Sequence, residues 1–246
     1  MQDIVIRKAT AEDLADVKGW LEREQRETGK GFYCNWRVIE TIFDEGMLDV
    51  LARGSETVAF VADGRSGPDI VEVRPDLRGR GFGRRAAEHA LRKAYDRGNS
   101  VVKIECAPST SIPFWKAMGF TMLVDPDGVL RSDYAFKTLP RKLEMPAGQP
   151  RAFAVKLYPQ RRDWDKNTEP LLEVVGIGSI IGNRLHLPER VTLHDARIEA
   201  GDDIVIGVQV DGKDVFEDKA KRSAALALGV QRDPGYNYYV DVIVLP

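Results

Sequence analysis

Val71-Glu-Val-Arg-Pro-Asp-Leu-Arg-Gly-Arg-Gly-Phe-Gly-Arg-Arg85 decides the reading of this chain. It opens as a short apolar run, Ile70, Val71 and Val73, which Pro75 ends. A glycine-punctuated loop follows, Arg78-Gly79-Arg80-Gly81-Phe82-Gly83. Beyond it Ala86, Ala87, Ala90, Leu91 and Ala94 recur at helical spacing, with Arg84, Arg85, Glu88, Arg92 and Lys93 on the other face. The local order is strand, Gly-rich turn, helix N-terminus. That order makes an anion seat, because the first helical turn has unpaired N–H groups and the positive end of the macrodipole. Glycines let the backbone approach a phosphate closely. The arginines at 78, 80, 84 and 85 add charge at the same place. The bare pattern names no ligand, and a structural turn remains an alternative. It is not a P-loop, since no Gly-Lys-Ser/Thr closes it, and its Gly79-x-Gly81-x-Gly83 spacing is not the dinucleotide fingerprint.

Working outward, Ile4-Val-Ile-Arg reads as a first strand. Thr10 reads as an N-cap with Asp13 at N3, ahead of a helix through Leu14, Val17 and Leu21. The charged run Glu22 to Glu27 reads as a solvated helix face, ended at Gly29-Lys-Gly31. Phe32-Tyr33-Cys34-Asn35-Trp36 leads into a second helix, which Gly46 ends. Leu48 to Ala52 and Thr57 to Ala62 read as strands, and Asp63 to Pro68 as a turn. The order β-α-α-β-β-β-α-β-α-β-β predicts a mixed α/β sheet flanked by helices.

With 43% hydrophobic and 30% charged residues over 246 positions, the chain has no apolar run that could cross a membrane. Met1-Gln-Asp-Ile-Val shows no signal pattern, so a cytoplasmic location and reduced thiols at Cys34 and Cys106 are expected. Net charge is −2 and both halves lie near balance, which argues against a nucleic-acid partner. His186 and His194 stand eight apart without a nearby Cys, so no metal site is expected.

Val73-x-Pro75 followed by Arg78-x-x-Gly81-x-Gly83 resembles the acyl-CoA pyrophosphate loop of the GCN5-related N-acetyltransferases. Val101 to Cys106 resembles that family's next strand, and Phe114-Trp-Lys-Ala-Met-Gly119-Phe120 its helix ending in Gly-Phe. The resemblance covers residues 1–143. It implies an acetyl-CoA-dependent N-acetyltransferase, with the acceptor amine attacking the thioester directly. It places the cofactor's diphosphate on Arg78, Gly79, Arg80, Gly81, Phe82, Gly83 and Arg84, its pantetheine arm on the Val73 backbone, in a splay beside the Val101 strand, and Trp115 among the residues that bind the cofactor. Phe32, Tyr33 and Trp36 would border the acceptor, a small amine or a peptide. Glu72 and Asp69 are candidate bases, and Tyr134, Tyr33 and Cys106 candidate acids. Trp115 occupies the position where the family often has a proton-donating tyrosine, and Pro108 the position of an asparagine. Indole is no general acid near neutral pH, so the alternatives are an unaided thiolate, whose pKa of about 8.5 makes it a tolerable leaving group, another donor, or acyl-CoA binding without transfer.

Residues 144–150 read as a Pro-rich linker to a smaller β-rich domain, 151–246, for acceptor recognition or a homodimer. Runs at 152–157, 171–177 and 183–188 read as strands, and 203–210 with 214–216 as a hairpin turning at Asp211-Gly212. A helix is expected over Lys219–Leu228, stopped by Gly229, then a last strand over 236–245 with Tyr236, Tyr238, Val240, Val242 and Val244 on one face. That strand is apolar on its second face too, which suits a central or interface strand. Leu185-x-Leu187-Pro188-x-x-Val191 with Ile198-x-x-Gly201-Asp202 is similar to the swapped hairpin of AbrB-type regulators, which would imply DNA binding.

Overall fold

The structure is a computed structural model that describes residues 4–64, 67–124, 129–198 and 203–245. The chain divides into two compact units, residues 1–97 and 98–246.

The first unit runs β1 (Ile4–Lys8), α1 (Ala11–Thr28), α2 (Trp36–Asp44), β2 (Leu48–Arg53), β3 (Glu56–Asp63), β4 (Pro68–Val73) and α3 (Phe82–Asp96). Its sheet is antiparallel in the order β1-β2-β3-β4, so β4 is an edge strand. Strand alternation sends Leu48, Val50, Phe60, Ala62 and Ile70 into one core with Val17, Trp20 and Leu21 of α1 and Ile39 and Ile42 of α2. It sends Leu51, Ala59, Val61 and Val73 into a second core with Ala86 and Ala90 of α3. The sheet is therefore buried on both sides, which is why β3 reads as a continuous apolar run. Thr10 caps α1 as its sequence indicates. The Asp13 N–H donates to the Thr10 hydroxyl at 3.3 Å, and the Thr10 N–H donates to the Asp13 carboxylate at 2.7 Å. Gly29, in the left-handed conformation at φ 68°, ends the helix.

The second unit runs β5 (Val101–Glu105), α4 (Ile112–Ala117), β6 (Thr121–Val124), β7 (Leu130–Thr138), β8 (Gln149–Tyr158), β9 (Leu172–Ile181), β10 (Arg184–Thr192), β11 (Val205–Val210), β12 (Lys213–Lys219), α5 (Ser223–Leu228), β13 (Val230–Arg232) and β14 (Tyr238–Val244). β5, β7 and β6 form a three-stranded sheet in that order, with β5 at an edge. The rest form a seven-stranded sheet, β12-β11-β8-β9-β10-β14-β13. Leu157, Leu185, Leu187, Ile206, Val240 and Ile243 lead its core. The Asp233 carboxylate ties the two sheets, taking the Ser100 N–H at 2.7 Å and its hydroxyl at 2.8 Å.

Several expectations change. Lys219 closes β12 rather than opening a helix, and α5 keeps only its last six residues. Lys219 is held there by Asp163 at 3.2 Å, so tertiary pairing overrides local helix preference. β10 runs past Pro188 to Thr192 because its pairing with β14 breaks at an irregularity between His186 and Val191, where no ladder N–H is required of a proline. The last strand starts at Tyr238. Tyr236 is exposed at φ 62°, while the strand is buried on both faces as expected, Val240 on one and Tyr239 and Ile243 on the other. That strand is central, between β10 and β13. Asp211 and Gly212, both at positive φ, make the expected hairpin turn. Arg65 and Ser66 of the expected turn, and Gly201 and Asp202 of the AbrB-like spacing, lie outside the described residues.

Candidate active site

The Gly-rich loop takes the form its composition requires. Pro75–Leu77 is a single 3-10 turn, and Gly79 and Gly81 are left-handed at φ 76° and 84°. Gly81 is the N-cap of α3 and brings no capping side chain. The helical ladder begins with the Arg85 N–H, which donates to Gly81 O at 3.2 Å, so the Phe82, Gly83 and Arg84 N–H groups precede it. The first turn holds no acidic residue, and Arg80 and Arg84 are exposed beside it. Main-chain donors and the dipole therefore meet where a diphosphate would sit, with the exposed Arg80 and Arg84 flanking them in sequence and Arg84 Nη1 3.9 Å from Glu88.

Val73 ends β4 next to this loop. Arg74 donates its N–H to Val58 O at 3.0 Å, so by strand alternation the N–H and C=O of Val73 turn away from β3. Side chains close that open edge. The Val73 N–H donates to Glu72 Oε1 at 2.9 Å, and Arg78 Nε donates to Val73 O at 3.1 Å. A ligand amide pairing with Val73 would exchange these two contacts for its own.

Arg78 then bridges two carboxylates. Its Nη2 lies 3.0 Å from Glu72 Oε1 and 2.7 Å from Glu24 Oε1. Burial pushes the Glu72 carboxyl above the usual range. The Arg78 charge and the Val73 N–H oppose that rise, and the Glu24 charge adds to it. A carboxyl so placed can accept a proton nearer neutral pH than an exposed one. Asp69, also on β4, is an exposed residue whose carboxyl lies against Gly64. Partial desolvation, then the Asp63 charge, raise its pKa.

Phe32–Asn35 forms a 3-10 turn between α1 and α2. Phe32, Tyr33 and Trp36 pack half-buried against the α1–α2 core. The Tyr33 and Trp36 rings stack at 6.5 Å, and the Lys18 ammonium lies 5.3 Å from the Trp36 ring. Tyr33 donates its hydroxyl to Glu22 at 2.9 Å. That bond raises its pKa and makes it a weaker proton donor.

Thus the first unit brings Glu72, Val73 and Arg78 into direct contact at the loop, while Asp69 stands apart beside Asp63. Trp115 and Tyr134 belong to the second unit. Trp115 is a buried core ring, edge-on to Phe114 at 4.9 Å and to Phe120 at 5.1 Å. Tyr134 is half-exposed on β7, opposite Glu105 of β5. Burial, followed by the Asp133 and Glu105 charges, pushes the Cys106 thiol up.

Glu24 is the residue that reading the sequence missed. The run Glu22 to Glu27 was expected to be solvated throughout, yet Glu24 is 7% exposed. Its spacing held the signal: Val17, Leu21 and Glu24 fall at i, i+4 and i+7, on the stripe that faces the core.

Residues 22–120 match the model of the acetyltransferase (GNAT) family. No curated protein matches the chain. Among solved structures, the chain is similar to a GNAT family acetyltransferase from Brucella melitensis in complex with acetyl-CoA, at 14% identity, TM-score 0.43, and coverage of 61% of this chain and 95% of that one. It is similar to the PaiA N-acetyltransferase from Thermoplasma acidophilum in complex with coenzyme A, at 16% identity, TM-score 0.43, and coverage of 56% and 99%. PH1933 from Pyrococcus horikoshii OT3 gives 15% identity, TM-score 0.43, and coverage of 56% and 99%.

Proposed function

We propose, from the match of residues 22–120 to the acetyltransferase (GNAT) family model, that the protein transfers an acetyl group from acetyl-CoA to an amine by direct attack on the thioester. The observation that carries the proposal is the α3 N-terminus, where left-handed Gly81 leaves three successive N–H groups ahead of the helical ladder beside Arg80 and Arg84. The residues fit the diphosphate of coenzyme A, and the Val73 N–H and C=O suit its amide-bearing arm.

The amine must shed a proton as its nitrogen bonds to the carbonyl carbon. Glu72 is the assigned base, acting directly or through a water. Asp69, exposed and held beside Asp63, is the lesser candidate. The C–S bond breaks to release the thiolate, which is protonated from solvent. The β-rich second part is assigned to acceptor recognition or self-association. Exposed Val175 and Ile177, on one face of β9, support a surface that meets a partner.

Titration with coenzyme A and with acetyl-CoA, alongside thiol release in the presence of amines, peptides and aminoglycosides, tests the reading. Absence of binding heat with both ligands overturns it. Binding without thiol release from any acceptor supports the second reading, a non-catalytic acyl-CoA sensor, which the buried Trp115 favours.

A further inference from the structure

The second unit holds a cavity of about 330 Å³, and every residue that lines it belongs to that unit. Such a volume suits a small organic molecule. Leu193, Ile198 and Ile204 give it a buried apolar side, and Lys221, Arg232 and Tyr236 an exposed one, so it runs from solvent into the unit. His194 also lines it and is 7% exposed. Phe136 packs edge-on to the His194 ring at 4.5 Å and offers it no polar partner. The buried Nε2 has no hydrogen-bond partner among the described residues. That nitrogen is a donor in one neutral tautomer and an acceptor in the other, so in both a bond is left unmade. Burial, followed by the Lys103 charge, pushes the ring down to about 3, which keeps it neutral near pH 7.

The lining carries three cations, Lys103, Lys221 and Arg232, and one carboxylate, Asp203. Lys221 holds Asp203 at 2.6 Å, and Lys219 lies 3.6 Å from it. Two further carboxylates whose charges reach His194 are engaged as well. Asp233 takes the N–H groups of Ser100 and Asn237, and Asp195 meets the Arg197 guanidinium at 2.7 Å. Arg232 lies 4.6 Å from the Tyr238 ring, donates to the Tyr238 hydroxyl, and meets no carboxylate among the described residues. A guanidinium has five N–H donors, so most of its capacity is open to an anion.

We infer that this cavity binds a small monocarboxylate with an apolar body, the body against Leu193, Ile198 and Ile204 and the charge met by Arg232 and Lys103. A carboxylate oxygen supplies the acceptor that His194 lacks when its proton is on Nε2. The assignment does not rest on the acetyltransferase reading, because no residue of the coenzyme loop takes part in it.

The test follows the ring nitrogens of the intact chain, labelled at histidine, by nuclear magnetic resonance during titration with benzoate and with benzamide, which share a ring and differ in charge. The chain has three histidines, and among them His194 alone lines the cavity. Its signal is identified by its loss in His194→Gln. Benzoate is expected to shift that signal, to leave those of His89 and His186 in place, and to bind about tenfold tighter than benzamide. Arg232→Gln is expected to weaken benzoate about tenfold, with an unmoved His186 signal reporting that β10 is intact. Equal affinities for benzoate and benzamide overturn the inference in the wild-type chain, and so does a benzoate shift at His89 or His186 with none at His194. Unchanged benzoate affinity in Arg232→Gln overturns it too. Inorganic phosphate that binds as tightly as benzoate overturns the apolar half of the assignment.

Discussion

Two acidic pairs lie within the first unit, and they are neutralised differently. Asp49 on β2 and Asp63 on β3 are both buried. Lys8 at 3.1 Å, His89 at 3.0 Å and Lys93 at 2.5 Å surround Asp49. Lys93 at 2.9 Å and Arg97 at 2.5 Å hold Asp63. Burial works against ionisation of Asp49, yet Lys93, His89 and Lys8 outweigh it and hold its carboxyl below the usual range. Three permanent cations serve two anions, and every contact ties a strand to β1, to α3 or to Arg97 at its C-cap. At the other end of α3, Glu24 and Glu72 have Arg78 between them, and the Glu72 pKa moves up instead of down. The first pair is saturated and joins elements. The second is left short of positive charge beside the loop that resembles a ligand seat. Buried charge that the fold does not neutralise marks where something else must bind or where a proton must move.

If the saturated network is structural, breaking it should cost the most. Asp63→Ala strips Arg97 of its carboxylate and leaves Lys93 with Asp49 alone, and about 3 kcal/mol of stability should be lost. Urea unfolding measures it, and a loss below about 1 kcal/mol would remove the distinction drawn between the pairs. The next effect concerns binding. Gly81→Asp puts a side chain on a left-handed N-cap and a negative charge in the diphosphate seat. Affinity for coenzyme A should drop at least tenfold, about 1.4 kcal/mol. Unchanged affinity in a titration would place the nucleotide elsewhere.

How much of this the sequence disclosed follows from the range of the interactions. Local devices were legible: the Thr10 and Asp13 capping box, the left-handed glycines at 29, 81 and 229, and the Asp211-Gly212 hairpin each need only neighbouring residues. The two-sided burial of β3 was implied by its unbroken apolar run. Long-range pairings were not legible. Lys219 stays in a strand because it pairs with Val205 of β11 and its ammonium meets Asp163, 56 positions earlier. Glu24 is drawn inward by Arg78, 54 positions later, against the polar neighbours that made its segment look solvated. Nothing in either local window shows these partners. The base candidates Asp69 and Glu72 looked equivalent on one strand, and only the contacts to Arg78 and Val73 separate them.

A smaller effect sharpens the assignment of Glu72. A base must be ionised to act, so kcat/KM should fall as pH drops through the Glu72 pKa. Because that pKa is raised, the acid limb should lie above the ordinary carboxylate value of about 4.3. Arg78 is the leading influence holding the pKa down and Glu24 pushes it up. Arg78→Ala should therefore move the limb to higher pH, and Glu72→Gln should abolish it. A limb that persists in Glu72→Gln hands the role to another group, with Asp69 next in line.

The smallest expected change is the stability of Glu24→Gln, and it divides the two pairs most cleanly. In the saturated pair, losing one carboxylate strands cations. At Glu24 the carboxylate is itself the surplus charge: Arg78 retains Glu72 and the Val73 carbonyl when Glu24 loses its charge, at 3.0 and 3.1 Å. An amide keeps an oxygen for Arg78 and offers an N–H₂ in place of Oε2, which is buried without a hydrogen-bond partner among the described residues, relieving the burial of an uncompensated anion. The lost attraction to Arg78 and the relieved desolvation act in opposite directions, and the Arg78 side chain is 45% exposed, so solvent screens the attraction. Stability should shift by less than about 1 kcal/mol in either direction. A loss as large as that of Asp63→Ala would make Glu24 a structural counter-ion like Asp63, and the shortage of positive charge at Arg78 would cease to indicate a site of proton transfer.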